Sequence, residues 1–366
     1  MKFSINQSEL QNALSIVMKG VSTRSTLPIL SGVYIQARND SLTMQTTDLE
    51  LSIQYTVDAL VEEEGETVVP GKLFGEIIKN LPDAAVHVAG NEEAVVVTCD
   101  AASFSLKTLD PQDFPGFPAV DVHQSINIPF DQFSSMVKRV ARVVSKDESR
   151  AILTGVLITL EDKLLKMVAT DSYRLAVTEA EVPDDMAGEF NAVIAGSFMQ
   201  DIAALPKTDE PVSLSLADNQ IVVKYANTVF VNRRIEGNFP NYKQLLPDGY
   251  VTRAALDVGH LVAAVKRASL LSNTATPVKF DINIDSQTTL LSSTAQDVGS
   301  TQETLACEAE GEDVEIAFNY AYLLDGLNAV TTGKVYLEAQ SSMKPGIFKA
   351  EESENFLYLV MPVRIS

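Results

Sequence analysis

The 366-residue chain has no tryptophan, two cysteines and three histidines. The thiols, Cys99 and Cys307, are too few for a disulfide framework and fit a reducing compartment. Cys99 lies in the apolar stretch VVVTCDA with nothing basic beside it, so it reads as a core thiol and not a nucleophile. His87, His123 and His260 have no partner at metal-ligand spacing, and no HExxH occurs. Phosphate loops of the GxxxxGK[ST] and GxGxxG types are absent, as is the GxSxG elbow. No apolar run approaches the roughly 18 residues that a membrane helix needs. The opening stretch MKFSINQSELQNALS has no apolar signal core, so a cytoplasmic protein without membrane contact is expected. Base is also scarce: 28 Lys and Arg stand against 49 Asp and Glu, for a net charge of −21. A generally basic, phosphate-gripping surface is therefore excluded, and any nucleic-acid contact has to come from positive charge concentrated on one face. No catalytic residue, metal or cofactor is expected.

What the chain does have is repetition. Hydrophobic residues make up 46%, ample for packed cores, and the length suits two or three domains. Each third begins with an amphipathic helix: SELQNALSIVMKG (8–20), FDQFSSMVKRVARVVS (130–145) and VGHLVAAVKRASLLS (258–272). Leu10, Phe133 and Leu261 recur at intervals of 123 (133 − 10) and 128 (261 − 133) residues. Asn6 with Glu9 has the form of a capping box, and Asp131 is a candidate N-cap. Two alternating segments follow each helix, as in an antiparallel hairpin, and they carry Asp48, Asp171 and Asp297. A second helix comes next, preceded by Gly71, Gly196 and Asn319. The first two units end alike, with Phe104 matching Phe230 and Phe114-Pro115 matching Phe239-Pro240. The reading is three α+β units of about 120 residues with antiparallel sheets, joined by short Pro-bearing links that favour a docked array.

In the segment VATDSYRLAV the group Asp171, Tyr173 and Arg174 has the look of a catalytic cluster. Because the Asp repeats while its neighbours change, a turn or backbone-capping role is the better reading. The helix at 130–145 separates its side chains by kind. With Lys138 at zero and ~100° per residue, Arg142, Lys146 and Arg139 fall at roughly 40°, 80° and 100°, opposite Phe133 and the valines. Lys266 and Arg267 lie late on the matching third helix. A cationic helix face in a strongly acidic protein is the result.

Seven stretches bring a family to mind together: MKF, TLPILSG (26–32), TTDLEL (46–51), ATDSYRLAV (169–177), GNFPNYKQLLP (237–247), LLSN (270–273) and VMPVR (360–364). With these motifs the chain resembles, end to end, the bacterial sliding clamps, the beta subunits of DNA polymerase III. The resemblance implies an α+β fold of three tandem DNA-clamp units, spanning residues 1–120, 127–248 and 252–366. Antiparallel sheets would lie outside and two helices per unit inside, with six units per ring in a homodimer. Such a ring holds duplex DNA topologically and without sequence preference, so tight phosphate binding is unnecessary. The resemblance also implies a peptide-binding pocket for the replicative polymerase, the clamp loader and other proteins. Carried over, it uses Leu153, Thr170, Ser172, Tyr173, Arg174, Leu175, Pro240, Leu245, Pro345, Leu359, Met361, Pro362, Val363 and Arg364. Ser172-Tyr173 replaces the Gly-His of some members. Arg24 and Lys79 match family DNA contacts and join Lys138, Arg139, Arg142, Lys266 and Arg267 of the helix faces. Asp147, Ala151, Ile152 and Gln244 depart from the types often found at such positions. At the dimer contact, Phe104 and Leu106 would meet Leu270 and Leu271 of a second copy. The competing expectation is a repeat-built peptide-binding scaffold that never encircles DNA.

Overall fold

The computed structural model describes residues 1–22, 26–91, 93–183, 189–271, 277–295, 297–351 and 355–364. Six α-helices occur among them: α1 (Gln7–Val17), α2 (Gly71–Asn80), α3 (Phe130–Val140), α4 (Gly196–Ala203), α5 (Val258–Ser269) and α6 (Tyr320–Leu327). They come in pairs, one pair per repeat. The amphipathic pattern gives each long helix a buried stripe: Leu10, Leu14 and Val17 on α1, Phe133, Met136 and Val137 on α3, Leu261, Ala264 and Val265 on α5. Burying each large aliphatic side chain contributes about 1.5–3 kcal/mol.

The ends of these helices differ from the sequence-based expectation. Helix α3 stops at Val140 instead of reaching residue 145. Beyond it, Ala141 still donates to the Val137 carbonyl, but Val143 donates to Val140, an i→i−3 bond that tightens the last turn. Asn6 is the N-cap of α1 but makes no side-chain capping bond. Asp131 lies inside the first turn of α3, where its charge suits the helix dipole without its being the cap. Gly71 and Gly196 are the first helical residues, not the ones before. The side-chain caps are Asp257, which accepts from the His260 N–H, and Asn319, which accepts from Ala321 and Tyr322.

Among the described residues the strands form antiparallel sheets of five, eight, nine and four strands. The chain divides into two compact units, residues 1–130 with 205–234 and residues 131–204 with 235–366. The division passes through the middle repeat because sheets run from one repeat into the next. Six strands bound the seams and free edges: β1 (Leu51–Asp58), β2 (Ala102–Lys107), β3 (Arg174–Glu181), β4 (Thr228–Arg233), β5 (Gly299–Ala306) and β6 (Phe356–Val360). In the first unit, β4 pairs antiparallel with β1 and completes the eight-stranded sheet. In the second unit, β6 pairs antiparallel with β3 and completes the nine-stranded sheet. β2 ends the five-stranded sheet and β5 ends the four-stranded sheet.

The ladders make the repeats equivalent residue by residue. Tyr34, Leu157 and Lys279 pair with Val68, Val193 and Ala317, each three residues before the second helix of its repeat. Followed across the hairpins, the same rows reach Gln54 in β1, Val177 in β3 and Gln302 in β5. On the other half, Phe3, Ile126 and Ala254 each precede a first helix by four residues. Their rows end at Phe104, Phe230 and Tyr358. The Phe104–Phe230 match read from the sequence therefore extends to Tyr358 in the third repeat.

Candidate functional site

The turn that begins β3 is built by two side chains. Asp171 Oδ1 accepts from the N–H groups of Tyr173 (2.9 Å) and Arg174 (3.0 Å), and the Thr170 hydroxyl donates to the Arg174 carbonyl (2.7 Å). The first repeat folds the same way: Asp48 Oδ1 accepts from Glu50 (3.0 Å) and Leu51 (2.8 Å). Ser172 and Leu49 then take matching left-handed conformations, φ 80° and 78°. In the first two repeats the Asp is thus a turn-former, as its repetition predicts.

From this turn three successive side chains point three ways. Tyr173 projects into solvent, 58% exposed, and Leu175 is fully buried on one face of the sheet. Arg174 is buried on the other face, 8% exposed. On the Leu175 side, Val168, Leu175, Val177, Ile347 and Leu359 form one apolar cluster across β3, β6 and their neighbours. Phe239, Tyr242 and Leu246, from the link between the second and third repeats, pack against it. The rim carries exposed Tyr173, Pro240, Leu245 and Met361, with Ser172 and Arg364 exposed beside them. Pro345, Pro362 and Val363 are half-buried, while Leu153 and Thr170 are buried. The Met361 N–H donates to the Tyr173 carbonyl at 2.8 Å, which joins the two rims. An apolar floor with a few exposed rim groups suits a short extended peptide with bulky apolar side chains.

Arg174 is saturated from below. Its Nε donates to Asp171 Oδ2 (3.0 Å), Nη1 to Asp325 of α6 (2.5 Å) and Nη2 to the Arg142 carbonyl (3.1 Å). The guanidinium lies 4.4 Å from the Tyr322 ring centroid, and Nη1 is 3.4 Å from the Tyr358 hydroxyl. Burial works against this charge, but the hydrogen bonds to Tyr358 and Asp325 and the charge of Asp171 outweigh it and hold the pKa above its usual value. Burial likewise pushes the Tyr358 hydroxyl up, so it stays neutral and donates to the Tyr322 carbonyl at 2.8 Å. Sequence reasoning grouped Arg174 with the groove residues. The structure places its guanidinium on the opposite face, turned away from Leu175 and Leu359. Its partners Asp325, Tyr322 and Tyr358 had no local signal, since they lie about 150–180 residues away in sequence. The floor residues Val177, Ile347 and Tyr242 also escaped notice, although the alternation of Leu175 with Val177 carried a signal for one of them.

The cationic residues are less uniform than the wheel suggests. Lys79 on α2, Lys138 on α3 and Lys266 on α5 are exposed, as is Arg142 just past α3. Arg139 is half-buried, 6.0 Å from the Phe356 ring centroid, so it leaves the exposed stripe. Arg267 is exposed but engaged by both oxygens of Glu303 on β5, at 2.9 and 2.5 Å. That hydrogen-bonded ion pair lowers the Glu303 pKa, so the contact persists at neutral pH and is lost as acid protonates the carboxylate. Arg24 lies outside the described residues. Of the expected dimer residues, Leu270 is 81% exposed and Phe104 40% exposed, while Leu271 is half-buried and Leu106 buried.

A tandem array of three α+β repeats, stitched by shared antiparallel sheets, is the architecture of a DNA-clamp protein. Comparison with known proteins gives the family. Profiles for the N-terminal, central and C-terminal domains of the DNA polymerase III beta subunit match residues 1–118, 127–241 and 243–364. Beta sliding clamps of Staphylococcus epidermidis and Staphylococcus aureus are 31% and 30% identical over 375 aligned residues, covering all of this chain and 99% of each relative. Crystal structures of the Bacillus subtilis sliding clamp and the Streptococcus pyogenes beta subunit match over both full lengths, each with TM-score 0.93, at 29% and 28% identity. The chain belongs to the DNA polymerase III beta subunit family, the bacterial beta sliding clamps.

Proposed function

We propose that the protein is a processivity clamp: two copies close into a ring that encircles duplex DNA and tethers the replicative polymerase, without catalysis of its own. The observation that carries this reading is the pair of unfinished sheets. Within the chain, the last strand of one repeat pairs with the fourth strand of the repeat before it, once as β4 on β1 and once as β6 on β3. The strands left over, β2 and β5, are the counterparts of those partners. Exposed edges of this kind invite pairing with another chain. At the two formed seams Phe230 stands opposite Ile53 and Tyr358 opposite Ala176. The equivalent contact puts Phe104 opposite Thr301 of a second copy. Leu270 fits this contact, since Arg267, one turn earlier on α5, already binds β5 through Glu303. Two such contacts per dimer close six repeats, read as residues 1–120, 127–248 and 252–366 of each copy, into one ring.

Charge is consistent with topological holding. Lys79, Lys138, Arg142 and Lys266 are a small exposed set in a chain of net charge −21. Screened, sequence-independent attraction is enough when the ring itself prevents escape, and tighter phosphate contact would oppose sliding. The groove beside β3 and β6 is the docking site for apolar peptides from the polymerase, the clamp loader and other partners. A cytoplasmic location follows from this role. The test is loading onto nicked circular DNA. Retention there, with release once the circle is cut, is expected; equal retention on linear DNA with free ends overturns the ring.

A further inference from the structure

We infer that Arg174 does not touch the bound peptide but acts as a strut across the seam between β3 and β6, coupling occupancy of the groove to the strength of that seam. The inference deepens the peptide-docking reading and rests on it. Its basis is where the guanidinium goes. Four of its contacts are made on the face away from the groove: Asp171, the Arg142 carbonyl, Asp325 and the Tyr322 ring. Two of these belong to the second repeat and two to the third. Buried on that face at 8% exposure, the guanidinium is turned away from the Leu175 face.

The strut sits at the first rung of the seam. Arg174 pairs with Val360 in the ladder, and Leu175 pairs with Leu359. Immediately beside them, the Tyr173 carbonyl holds the Met361 N–H, and the Tyr173 ring stacks on Tyr322 at 6.4 Å. Tyr173 and Met361, the rim residues of the docking reading, come from two repeats, and their spacing depends on the seam staying zipped at this end. A peptide seated between them makes its contacts only when both walls are in place. By linkage it favours the zipped seam, and whatever frays the seam weakens the peptide by the same factor. The first repeat shows that the fold alone does not require the strut. Its counterpart of Arg174 is Leu51, with the Asp48 turn formed just as well.

Asp325 provides the test because its carboxylate meets Arg174 on α6, away from the groove. The probe is a fluorescein-labelled synthetic peptide from the carboxy-terminus of the replicative polymerase, titrated against the dimeric protein. Asp325→Ala is expected to weaken it by on the order of tenfold and to speed amide exchange along β3 and β6. In the Arg174→Met background, adding Asp325→Ala is expected to weaken binding by less than about twofold, because the two residues act as one unit. Peptide is expected to slow seam exchange in the wild type and much less in Asp325→Ala. Multiplicative losses in the double variant, or an Asp325→Ala affinity within about twofold of wild type, overturn the strut. Should Arg174→Met fail to fold, Asp325→Ala alone decides, by affinity and exchange together. Absence of any binding to the wild type overturns the groove reading itself, and the coupling with it.

Discussion

The two seams of the chain are built to one plan and surfaced differently. At each, an Asp-capped turn leads into a strand that pairs antiparallel with the last strand of the following repeat. Across the first seam the outward row reads Thr47, Ser52, Val231 and Val222, and the next row Gln45, Gln54, Val229 and Lys224. Across the second seam the same rows read Thr170, Leu175, Leu359 and Ile347, then Val168, Val177, Leu357 and Lys349. Polar side chains at Ser52, Gln45 and Gln54 have become Leu175, Val168 and Val177. The link after the second repeat lays Phe239, Tyr242 and Leu246 on that apolar surface, whereas Phe114 of the first link stacks on Tyr34 at 5.5 Å. The repeat supplies the frame, and a handful of substitutions on one face make the second seam's surface apolar.

The comparison can be broken most severely by exchanging its terms. Giving the second seam the side chains of the first, as Leu175→Ser with Val177→Gln, is expected to abolish peptide binding in fluorescence anisotropy, a loss of 100-fold or more. The buried Leu175 alone predicts a stability loss of about 2–5 kcal/mol in denaturant unfolding. Survival of binding in this variant places the groove elsewhere. Next in size is the strut. Arg174→Met strands Asp171 and the partly exposed Asp325, and about 3 kcal/mol of stability should go with it. Leu51→Met at the matching position of the first seam should cost below about 1.5 kcal/mol, since one apolar side chain replaces another of similar size. Equal losses at both positions would deny that the second seam carries an added tie. Asp48→Ala removes one acceptor shared by two N–H groups in an exposed turn and should cost about 1 kcal/mol. The smallest effect runs the other way. Leu49→Gly relieves a side chain held at positive φ and is expected to raise stability by about 0.5–1 kcal/mol, readable as a higher melting temperature.

Much of this was legible in the sequence because it repeats. The threefold order of helix, hairpin and helix, the turn-forming Asp and the Phe104–Phe230 match each recur, and recurrence separates structural residues from local ones. The groove was legible only through resemblance to a family, since its floor joins residues from β3, β6 and the inter-repeat link that no local pattern connects. Arg174 shows the limit most plainly. Its neighbours in sequence, Tyr173 and Leu175, belong to the groove, but strand alternation sends the residue between them to the opposite face. There its partners Asp325 and Tyr358 come from the far end of the chain. Arg139, placed by the helical wheel, and Arg267, placed by its position late on the third helix, fell short for a similar reason. A wheel gives direction from one axis, but Phe356 and Glu303 capture these side chains from outside the helix.

The proposed ring predicts that a third seam, between copies, repeats the register of the two internal ones. Oxidative crosslinking of the Phe104→Cys/Thr301→Cys variant tests this directly, because residues directly opposite on antiparallel strands lie about 4.5–5.5 Å apart, within disulfide reach. The native Cys99 and Cys307 are buried and add little background. The expected result is a covalent dimer of twice the 39.7 kDa chain mass under mild oxidation, with little or none from Phe104→Cys/Gln302→Cys, whose thiols face opposite sides of the sheet. A monomer that stays uncrosslinked, or equal crosslinking from both variants, would contradict the shared seam and the ring built on it.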